Sequence, residues 1–180
     1  MKITIIGPSA GGKSVLASKL CERFSIPKLE IDRLWFSCGG EKCVNGCTVE
    51  QKNEINAKIL TKVEEFMRQN ENWITEGTNS KIQQITASQA DTVVLIQRPL
   101  IARIFSHVFR VLRGKDRHPE VTIWQDLGFV RTMIRRWKKG EDEKMNGLES
   151  QFSEKVIVLR SFKKMDDYVK TFHTRDNMSA

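Results

Sequence analysis

Long hydrophobic runs are missing from this 180-residue chain. One of the longest, Val93–Ile96, falls far short of the ~18 residues that a membrane-spanning helix needs, and Ile3–Ile6 is too short for a secretory signal. Proline is scarce, with four residues, and we find no linker, repeat or low-complexity segment. We therefore expect a single domain over residues 1–180 that is cytoplasmic and has no membrane partner.

Acidic side chains are outnumbered, with 22 Asp and Glu against 30 Lys and Arg, which gives a net charge of +8. The excess is local, because residues 101–140 carry ten basic and three acidic side chains while the remainder is close to neutral. A basic protein raises the question of a nucleic-acid partner. Because the excess is confined to one segment, it indicates a local basic site rather than a generally basic surface.

Short apolar segments alternate with helical patterns along the chain. The predicted strands are Lys2–Ile6, Lys28–Asp32, Trp73–Thr75, Thr92–Ile96 and Val156–Leu159. Helical periodicity predicts helices over 13–24, after the capping-box pair Thr48 and Gln51, over 80–90, twice after Pro99, and once after the last strand. This alternation predicts an α/β fold, in which a parallel sheet carries helices on both faces.

A phosphate-binding loop follows the first predicted strand. The pattern G-x-x-x-x-G-K-[ST] is matched by Gly7, Pro8, Ser9, Ala10, Gly11, Gly12, Lys13 and Ser14, with Val15 next in the helix. Glycines let backbone N–H groups turn inward around an anion, and the helix N-terminus adds its positive dipole end. Lys13 is expected to reach the β- and γ-phosphates, and the Ser14 hydroxyl to ligate Mg²⁺.

The same segment also matches a serine-nucleophile pattern, G-x-S-x-G, centred on Ser9. A hydrolase of that type needs an oxyanion donor from an earlier strand–helix loop, and six residues precede Gly7. It also needs an acid and then a histidine downstream, and nothing marks His107, His118 or His173 for that role. Nucleotide binding is therefore the favoured interpretation of the loop.

Two acids stand at the ends of predicted strands. Glu76 follows Trp73–Thr75, and Asp32 ends Lys28–Asp32. Ligands of open parallel sheets bind beyond the carboxyl ends of the strands, so both acids are expected to face the phosphate-loop crevice. The chain lacks the N-K-x-D motif of small GTPases. A small phosphotransferase remains, which needs positioning and charge neutralisation more than covalent chemistry.

Arginine stripes mark the two helices that are predicted after Pro99. Arg103, His107 and Arg110 share a face of the first, and Arg131, Arg135 and Lys138 share a face of the second. We expect these stripes to line a lid over the phosphates, with the apolar residues of each helix buried; in the first helix these are Ile101, Ile104, Phe105, Val108 and Leu112. A solvated basic face and a nucleic-acid surface are the alternatives.

Together these segments resemble the P-loop kinase group that contains adenylate kinase, shikimate kinase and, as the nearest resemblance, the bacterial DNA topology modulation protein family. The similarity runs from residue 1 to about residue 169. The segments that carry it are the phosphate loop, residues 26–34, 73–77, 91–99, 118–120 and 156–161. The loop is specific for nucleotide binding, and the other segments are moderately specific for the group.

This resemblance implies a P-loop NTPase three-layer fold, with a five-stranded parallel sheet in the order 2-3-1-4-5, helices on both faces and a short helical lid. It also implies an acceptor-binding region near 33–70 and a lid near 103–136. Glu76-Gly77 stands where adenylate kinases have an Asp-Gly pair near Mg²⁺, and Asp32 matches a substrate-contacting acid of shikimate kinases. Gln97 departs from the pattern, which often has an acid at that place.

Three of the four cysteines, Cys38, Cys43 and Cys47, lie within ten residues. Three thiolates and a fourth ligand from elsewhere suffice for zinc, but the spacing lacks the paired C-x-x-C form. Free thiols in a loop are the favoured interpretation.

The sequence thus predicts a kinase that uses ATP and Mg²⁺ to phosphorylate a small-molecule or nucleotide acceptor. Residues 7–15 are expected to hold the nucleotide, and Ser14 with Glu76 the metal. The residues expected to act on the reacting groups are Lys13, Asp32, Glu76, Arg103, Arg110, Arg131 and Arg135. The alternative is a nucleotide-binding regulatory protein that contacts DNA through residues 101–140.

Overall fold

The computed structural model describes residues 1–40, 47–78, 80–113 and 123–172. The strands are β1 Lys2–Ile6, β2 Lys28–Glu30, β3 Trp73–Gly77, β4 Thr92–Ile96 and β5 Val156–Leu159. The helices are α1 Lys13–Phe24, α2 Ile31–Ser37, α3 Val49–Gln69, α4 Ser80–Gln89, α5 Leu100–Leu112, α6 Ile123–Lys138, α7 Glu141–Gln151 and α8 Phe162–Thr171.

All five strands form one parallel sheet in the order β2-β3-β1-β4-β5. The predicted fold class and strand order are therefore confirmed. In the central register, Ile6 lies beside Gly77 of β3 and Leu95 of β4, so the strands end together at one edge. The phosphate loop leaves β1 at this edge, which places it in the position where open α/β sheets bind ligands.

Successive residues of β1 point to opposite faces of the sheet, as strand geometry requires. Ile3 and Ile5 belong to one buried cluster, which packs against α1 and α8. Ile6 belongs to another, which contains Leu148 of α7. Both faces of the central strand are therefore covered, which explains why this part of the sequence is a continuous apolar run instead of an alternating one.

Three buried hydroxyls link the central strands to a helix. Thr4 in β1 accepts a hydrogen bond from Thr75 in β3 at 3.0 Å and lies 2.9 Å from the Thr86 hydroxyl of α4. Thr86 in turn donates to the backbone carbonyl of Gln83 at 3.2 Å. The Gln83 side-chain amide donates to the carbonyl of Gly77 at 2.6 Å. A buried polar chain thus ties β1, β3 and α4 together beneath the ligand edge.

Helix α3 begins at the predicted capping box. The Thr48 side chain accepts from the backbone N–H of Gln51 at 3.2 Å, and the Gln51 side chain accepts from the backbone N–H of Thr48 at 2.9 Å. The helix buries Ile55, Ile59 and Val63, which follow one another at four-residue spacing and so share one face.

Two helices are absent from the sequence prediction. Helix α2 begins at Ile31, so β2 ends at Glu30 and Asp32 lies in the first turn of a helix, not at the end of a strand. Helix α7 is weakly amphipathic and rich in charged residues, so its apolar periodicity gives little signal.

The orientation predicted for α5 is wrong. Its buried residues are Arg103, His107 and Val111, whereas Ile101 and Phe105 are 69% and 72% exposed. The reason is that α5 lies beside the phosphate loop, and its polar face turns toward that loop. Among the described residues, no helix is both long enough and apolar enough to cross a membrane.

Candidate active site

The phosphate loop turns sharply between β1 and α1, and its glycines are enforced by close packing. A Cβ atom on Gly7 would lie 2.7 Å from the carbonyl oxygen of Ile96, and one on Gly11 would lie 2.9 Å from the carbonyl oxygen of Pro8. Gly12 caps α1 with φ 102°, and a Cβ there would lie 2.8 Å from the Phe162 ring. The tight turn of the loop therefore requires glycine at these positions, and a loop without side chains there leaves its backbone N–H groups accessible to an anion.

Lys13 opens α1 with its side chain almost wholly buried, at 6% exposure. Its Nζ donates to the carbonyl of Pro8 at 3.2 Å, which holds the ammonium over the loop. Burial lowers the pKa of Lys13 below its ordinary value, while the nearby carboxylates of Asp32, Glu76 and Glu141 oppose that shift. An ammonium that is held over the phosphate loop is placed to contact an anion bound there, such as a phosphate.

Ser14 and Glu76 meet at the ligand edge. The Ser14 hydroxyl donates to Glu76 Oε1 at 2.8 Å, and the second carboxylate oxygen, Oε2, is buried without a hydrogen-bond partner among the described residues. Burial raises the pKa of Glu76 above its ordinary value, and Lys13 and Ser14 oppose this shift. A buried carboxylate with one oxygen that makes no hydrogen bond, next to a hydroxyl, provides two oxygen ligands suited to a hard divalent cation.

Asp32 lies close to the same group although it belongs to α2. Its Oδ1 accepts from the backbone N–H of Thr78 at 2.8 Å and from the Thr78 hydroxyl at 2.9 Å. A Cβ on Gly77 would lie 2.9 Å from Ile31 and 3.3 Å from Asp32 Oδ1. Gly77 thus allows α2 to approach the end of β3, and the structure brings Asp32, Glu76 and Lys13 together as the sequence predicts.

The two predicted arginines of α5 occupy different environments. Arg103 is completely buried and pairs with Glu141 of α7 through a 2.8 Å contact from Nη1 to Oε2. Arg110 is exposed, and its Nη2 lies 3.1 Å from Nδ1 of the buried His107. Both side chains lie on the face of α5 that turns toward the loop.

The two predicted arginines of α6 are not brought to the loop. Arg131 and Arg135 are exposed, and neither makes a hydrogen bond or ion pair with another residue in the described ranges. Arg136, which the sequence argument did not select, donates to the Ser9 hydroxyl at 3.1 Å. The predicted stripe therefore identifies the right helix, but a neighbouring position reaches the loop. Residues 114–122 of the predicted lid lie outside the described residues.

Arg98 is a further site residue that the sequence argument missed. It is 8% exposed and donates to the carbonyls of Gly11 and Ala102 and to the Ser106 hydroxyl, at 3.5, 3.3 and 3.1 Å. Its guanidinium carbon lies 3.9 Å from the centroid of the Phe162 ring. Burial lowers the pKa of Arg98, with Arg103 adding to the shift. Arg98 follows the end of β4 as Glu76 stands at the end of β3, and this position at the ligand edge is the sequence signal that could have identified it as a site residue.

Two cavities flank the phosphate loop. One, of about 350 Å³, is lined by Ala10–Val15 together with Ser106, His107, Phe109, Arg110, Arg113 and Phe162. The other, of about 630 Å³, lies between α4 and α7 and is lined by residues that include Gly7, Pro8, Thr78, Gln83, Arg136, Lys139, Glu141 and Lys144. Neither cavity is lined by a described residue of the predicted acceptor-binding region 33–70.

The cysteine cluster offers no metal centre within the described residues. Cys38 is a buried free thiol, whereas Cys47 is disulfide-bonded, so the expectation of free thiols is wrong for Cys47. A sulfur in a disulfide is not available as a thiolate ligand. Across the described ranges no group of three or more His, Cys, Asp or Glu residues is placed to hold a metal ion. Cys43 lies outside these ranges.

Comparison with known proteins gives matches among solved structures. No family model matches the chain, and no curated protein sequence does. The structure is similar to a shikimate kinase from Acinetobacter baumannii in complex with shikimate, with 16% identity over 94% of this chain and 89% of that one and a TM-score of 0.55. It is also similar to a shikimate kinase from Aquifex aeolicus, with 19% identity over 94% and 92% and a TM-score of 0.54.

A shikimate kinase from Bacteroides thetaiotaomicron gives 12% identity over 94% of both chains and a TM-score of 0.50. At such identities the likeness shows the fold, so this chain has the fold of P-loop kinases. The matches extend over nearly the whole of both partners.

Proposed function

We propose that this protein is an ATP-dependent kinase that transfers the γ-phosphoryl group to a small acceptor. One observation carries the proposal: Ser14 and Glu76 are hydrogen-bonded at 2.8 Å beside the buried Lys13, and Glu76 Oε2 has no partner among the described residues. The loop that supplies Lys13 and Ser14 lies at the carboxyl edge of the sheet. The fold that this chain shares with shikimate kinases supports the same activity.

The two cavities suit two substrates. The smaller one is lined by residues of the loop and by Phe109 and Phe162, which provide aromatic surface for a nucleotide base while the loop takes the phosphates. The larger one opens on the other side of the loop, past Gly7 and Pro8. We assign ATP to the first cavity and the acceptor to the second, so that the γ-phosphoryl group would lie between them.

The residues present fit Mg²⁺. Ser14 Oγ and the unpartnered Glu76 Oε2 are oxygen ligands, which this ion prefers, and phosphate oxygens and water would complete its shell. Bound there, the ion would neutralise charge on the phosphates. The raised pKa of Glu76 reflects how unfavourable it is to keep this carboxylate charged and buried when no cation is bound.

The remaining chemistry falls to the side chains of the chain itself. Lys13 neutralises charge on the transferring group, and Arg110 and Arg136 approach the loop from α5 and α6. Arg98 fixes the loop through the Gly11 carbonyl. Asp32 is the candidate to orient the acceptor hydroxyl or receive its proton, because it is bonded through Oδ1 to Thr78, which lines the larger cavity, and its Oδ2 is not engaged by Thr78.

The test is an assay of ADP release with ATP, Mg²⁺ and three classes of acceptor: nucleoside monophosphates, nucleosides, and hydroxy-acids that include shikimate. We expect one class to stimulate release. Lys13→Met is expected to lower kcat at least ~100-fold, since the transition-state charge loses its buried cation, while the fold survives.

Lys19→Met is the matched control, because Lys19 lies on the same helix, 44% exposed, and pairs with Asp166 on the surface. Its turnover should equal that of the wild type. Wild-type turnover in Lys13→Met would contradict the proposal, and release of ADP without any acceptor would indicate an ATPase instead. The closer relation to DNA topology modulation proteins is likewise a proposal, and it rests on the sequence segments named above.

A further inference from the structure

A stripe of exposed apolar side chains follows the outer side of α5. Ile101, Phe105 and Leu112 are 69%, 72% and 74% exposed, and Phe109, which is 54% exposed, stands between them at the rim of the smaller cavity. Their spacing of four, four and three residues places them in one line along the helix. We call these four residues the α5 stripe. Single exposed apolar residues are ordinary, but a contiguous exposed patch marks an interaction site.

The origin of the α5 stripe lies in the active site. The polar side of α5 is turned inward, where Arg103 pairs with Glu141 and His107 packs against the Phe129 ring at 5.4 Å. An amphipathic helix that directs its polar side toward the phosphate loop has to direct its apolar side outward. The stripe is therefore a fixed consequence of how α5 is used, and something other than the core of this domain has to cover it.

The charges of α5 and α6 are mostly basic. Helix α6 and its end carry five Arg and Lys against one acidic residue, Asp126. Arg103 of α5 is buried against Glu141, so the exposed charges of α5 and its end are Arg110 and Arg113. One of these, Arg113, lies at the end of the stripe, with its guanidinium carbon 4.0 Å from the centroid of the Phe109 ring. Helix α6 adds an exposed Trp137, at 45%.

We propose that the α5 stripe docks this protein onto an anionic lipid bilayer. An apolar stripe with Phe and Leu enters the boundary between headgroups and acyl chains, while neighbouring Arg and Lys pair with anionic headgroups. Such a helix lies in the plane of the surface, so the thirteen residues of α5 suffice. The expectation of no membrane partner rested on the lack of a spanning run, and surface docking needs none.

The charge pattern favours this occupant over two others. A symmetric contact between two copies of α5 would cover the stripe but would offer Arg110 and Arg113 no acidic partner from the facing helix, because residues 100–113 contain no Asp or Glu. Nucleic acid would satisfy the arginines but would leave Ile101, Phe105 and Leu112 without apolar cover, because its phosphate backbone is polar.

The experiment is flotation of the full chain with two kinds of vesicle, phosphatidylcholine alone and an equal mixture of phosphatidylcholine and phosphatidylglycerol. We expect binding to the anionic vesicles that weakens as salt is raised, and little binding to the neutral ones. Phe105→Gln and, separately, Leu112→Gln are expected to weaken binding about tenfold, because each removes apolar area from the bilayer. Circular dichroism verifies that each variant is folded.

Val49→Gln is the matched control, since Val49 is 67% exposed at the start of α3, and it should float like the wild type. Failure of the wild type to bind anionic vesicles would overturn the proposal. Binding that is unchanged in both stripe variants would also overturn it, since charge alone would then act. A wild-type dimer that Phe105→Gln dissociates, or tighter stripe-dependent binding to polyglutamate than to vesicles, would assign the stripe to a second copy or an acidic protein instead.

Discussion

Helices α1 and α5 both flank the phosphate loop, yet they bury opposite kinds of side chain. Helix α1 buries Leu16, Ala17 and Leu20 against the sheet, and its one buried cation, Lys13, stands at its first residue. Helix α5 buries Arg103 and His107 in its middle and exposes much of its apolar side. Periodicity identifies both segments as amphipathic helices, but the surface that each one meets decides which side is inward.

That surface is apolar for α1 and polar for α5. Helix α1 lies on the sheet, where Ile3, Ile5 and Val94 belong to its cluster. Helix α5 begins beyond the end of β4, where its neighbours are the phosphate loop, Arg98 and Glu141. A helix at a ligand edge therefore follows a different rule from a helix on the sheet, since α5 exposes apolar side chains although it is the more strongly amphipathic of the two.

The largest test of this contrast removes one apolar side chain from each helix. Leu16→Ala in α1 is expected to lower the free energy of unfolding by about 3 kcal/mol, because Leu16 is wholly buried and leaves a cavity. Ile101→Ala in α5 is expected to change it by less than about 0.5 kcal/mol, because Ile101 is 69% exposed. Urea unfolding measures both. Comparable losses would show that the apolar side of α5 is covered after all.

A second test removes one arginine from α5 and one from α6. Arg103→Met is expected to cost about 2 kcal/mol, since it leaves Glu141 without its buried partner, and the 15% exposure of Glu141 keeps the cost below that of a fully buried charge. Arg131→Met on the exposed side of α6 serves as control and should cost almost nothing. Adding Glu141→Gln to Arg103→Met should recover part of the loss. Equal stabilities for the two single variants would remove the distinction between the sides.

The smallest effect concerns Glu76, the acid beside the polar start of α1. Burial raises the pKa of Glu76 above the ordinary value of 4.5. Between pH 4.5 and the raised pKa of the folded protein, the native state binds more protons than the unfolded state, so the free energy of unfolding falls as pH rises through this range. Glu76→Gln removes this penalty and should raise the free energy of unfolding near pH 8 by about 1 kcal/mol. The gain should vanish near pH 4.

Unfolding curves of the two proteins at both pH values decide the matter. A gain of the same size at pH 4 and pH 8 would mean that ionisation of Glu76 is not its source. Activity provides the second readout, since the same variant should lose Mg²⁺-dependent turnover. Gain of stability with loss of turnover is the pattern expected of a group that is kept charged and buried for its chemistry.

Much of the central architecture follows from the sequence because local and global signals agree there. The apolar strands, the loop motif and the pairing of Ser14 with Glu76 each follow from position in the sheet. The orientation of α5 did not, because periodicity says nothing about what lies opposite a helix. Arg98 and Arg136 were missed for a related reason, since their contacts with Gly11 and Ser9 depend on where the loop lies in space.

The buried hydroxyls of Thr4, Thr75 and Thr86 determine how freely the two strands behind the site can move. Apolar side chains tolerate small sliding, because dispersion contacts are not directional, whereas a hydrogen bond fails when its atoms are displaced by a fraction of their separation. A slip of β1 past β3 would break the hydrogen bond from Thr75 to Thr4 inside the sheet. The 2.8 Å contact between Ser14 in α1 and Glu76 in β3 therefore depends on a strand register that the hydrogen bond from Thr75 to Thr4 helps to hold.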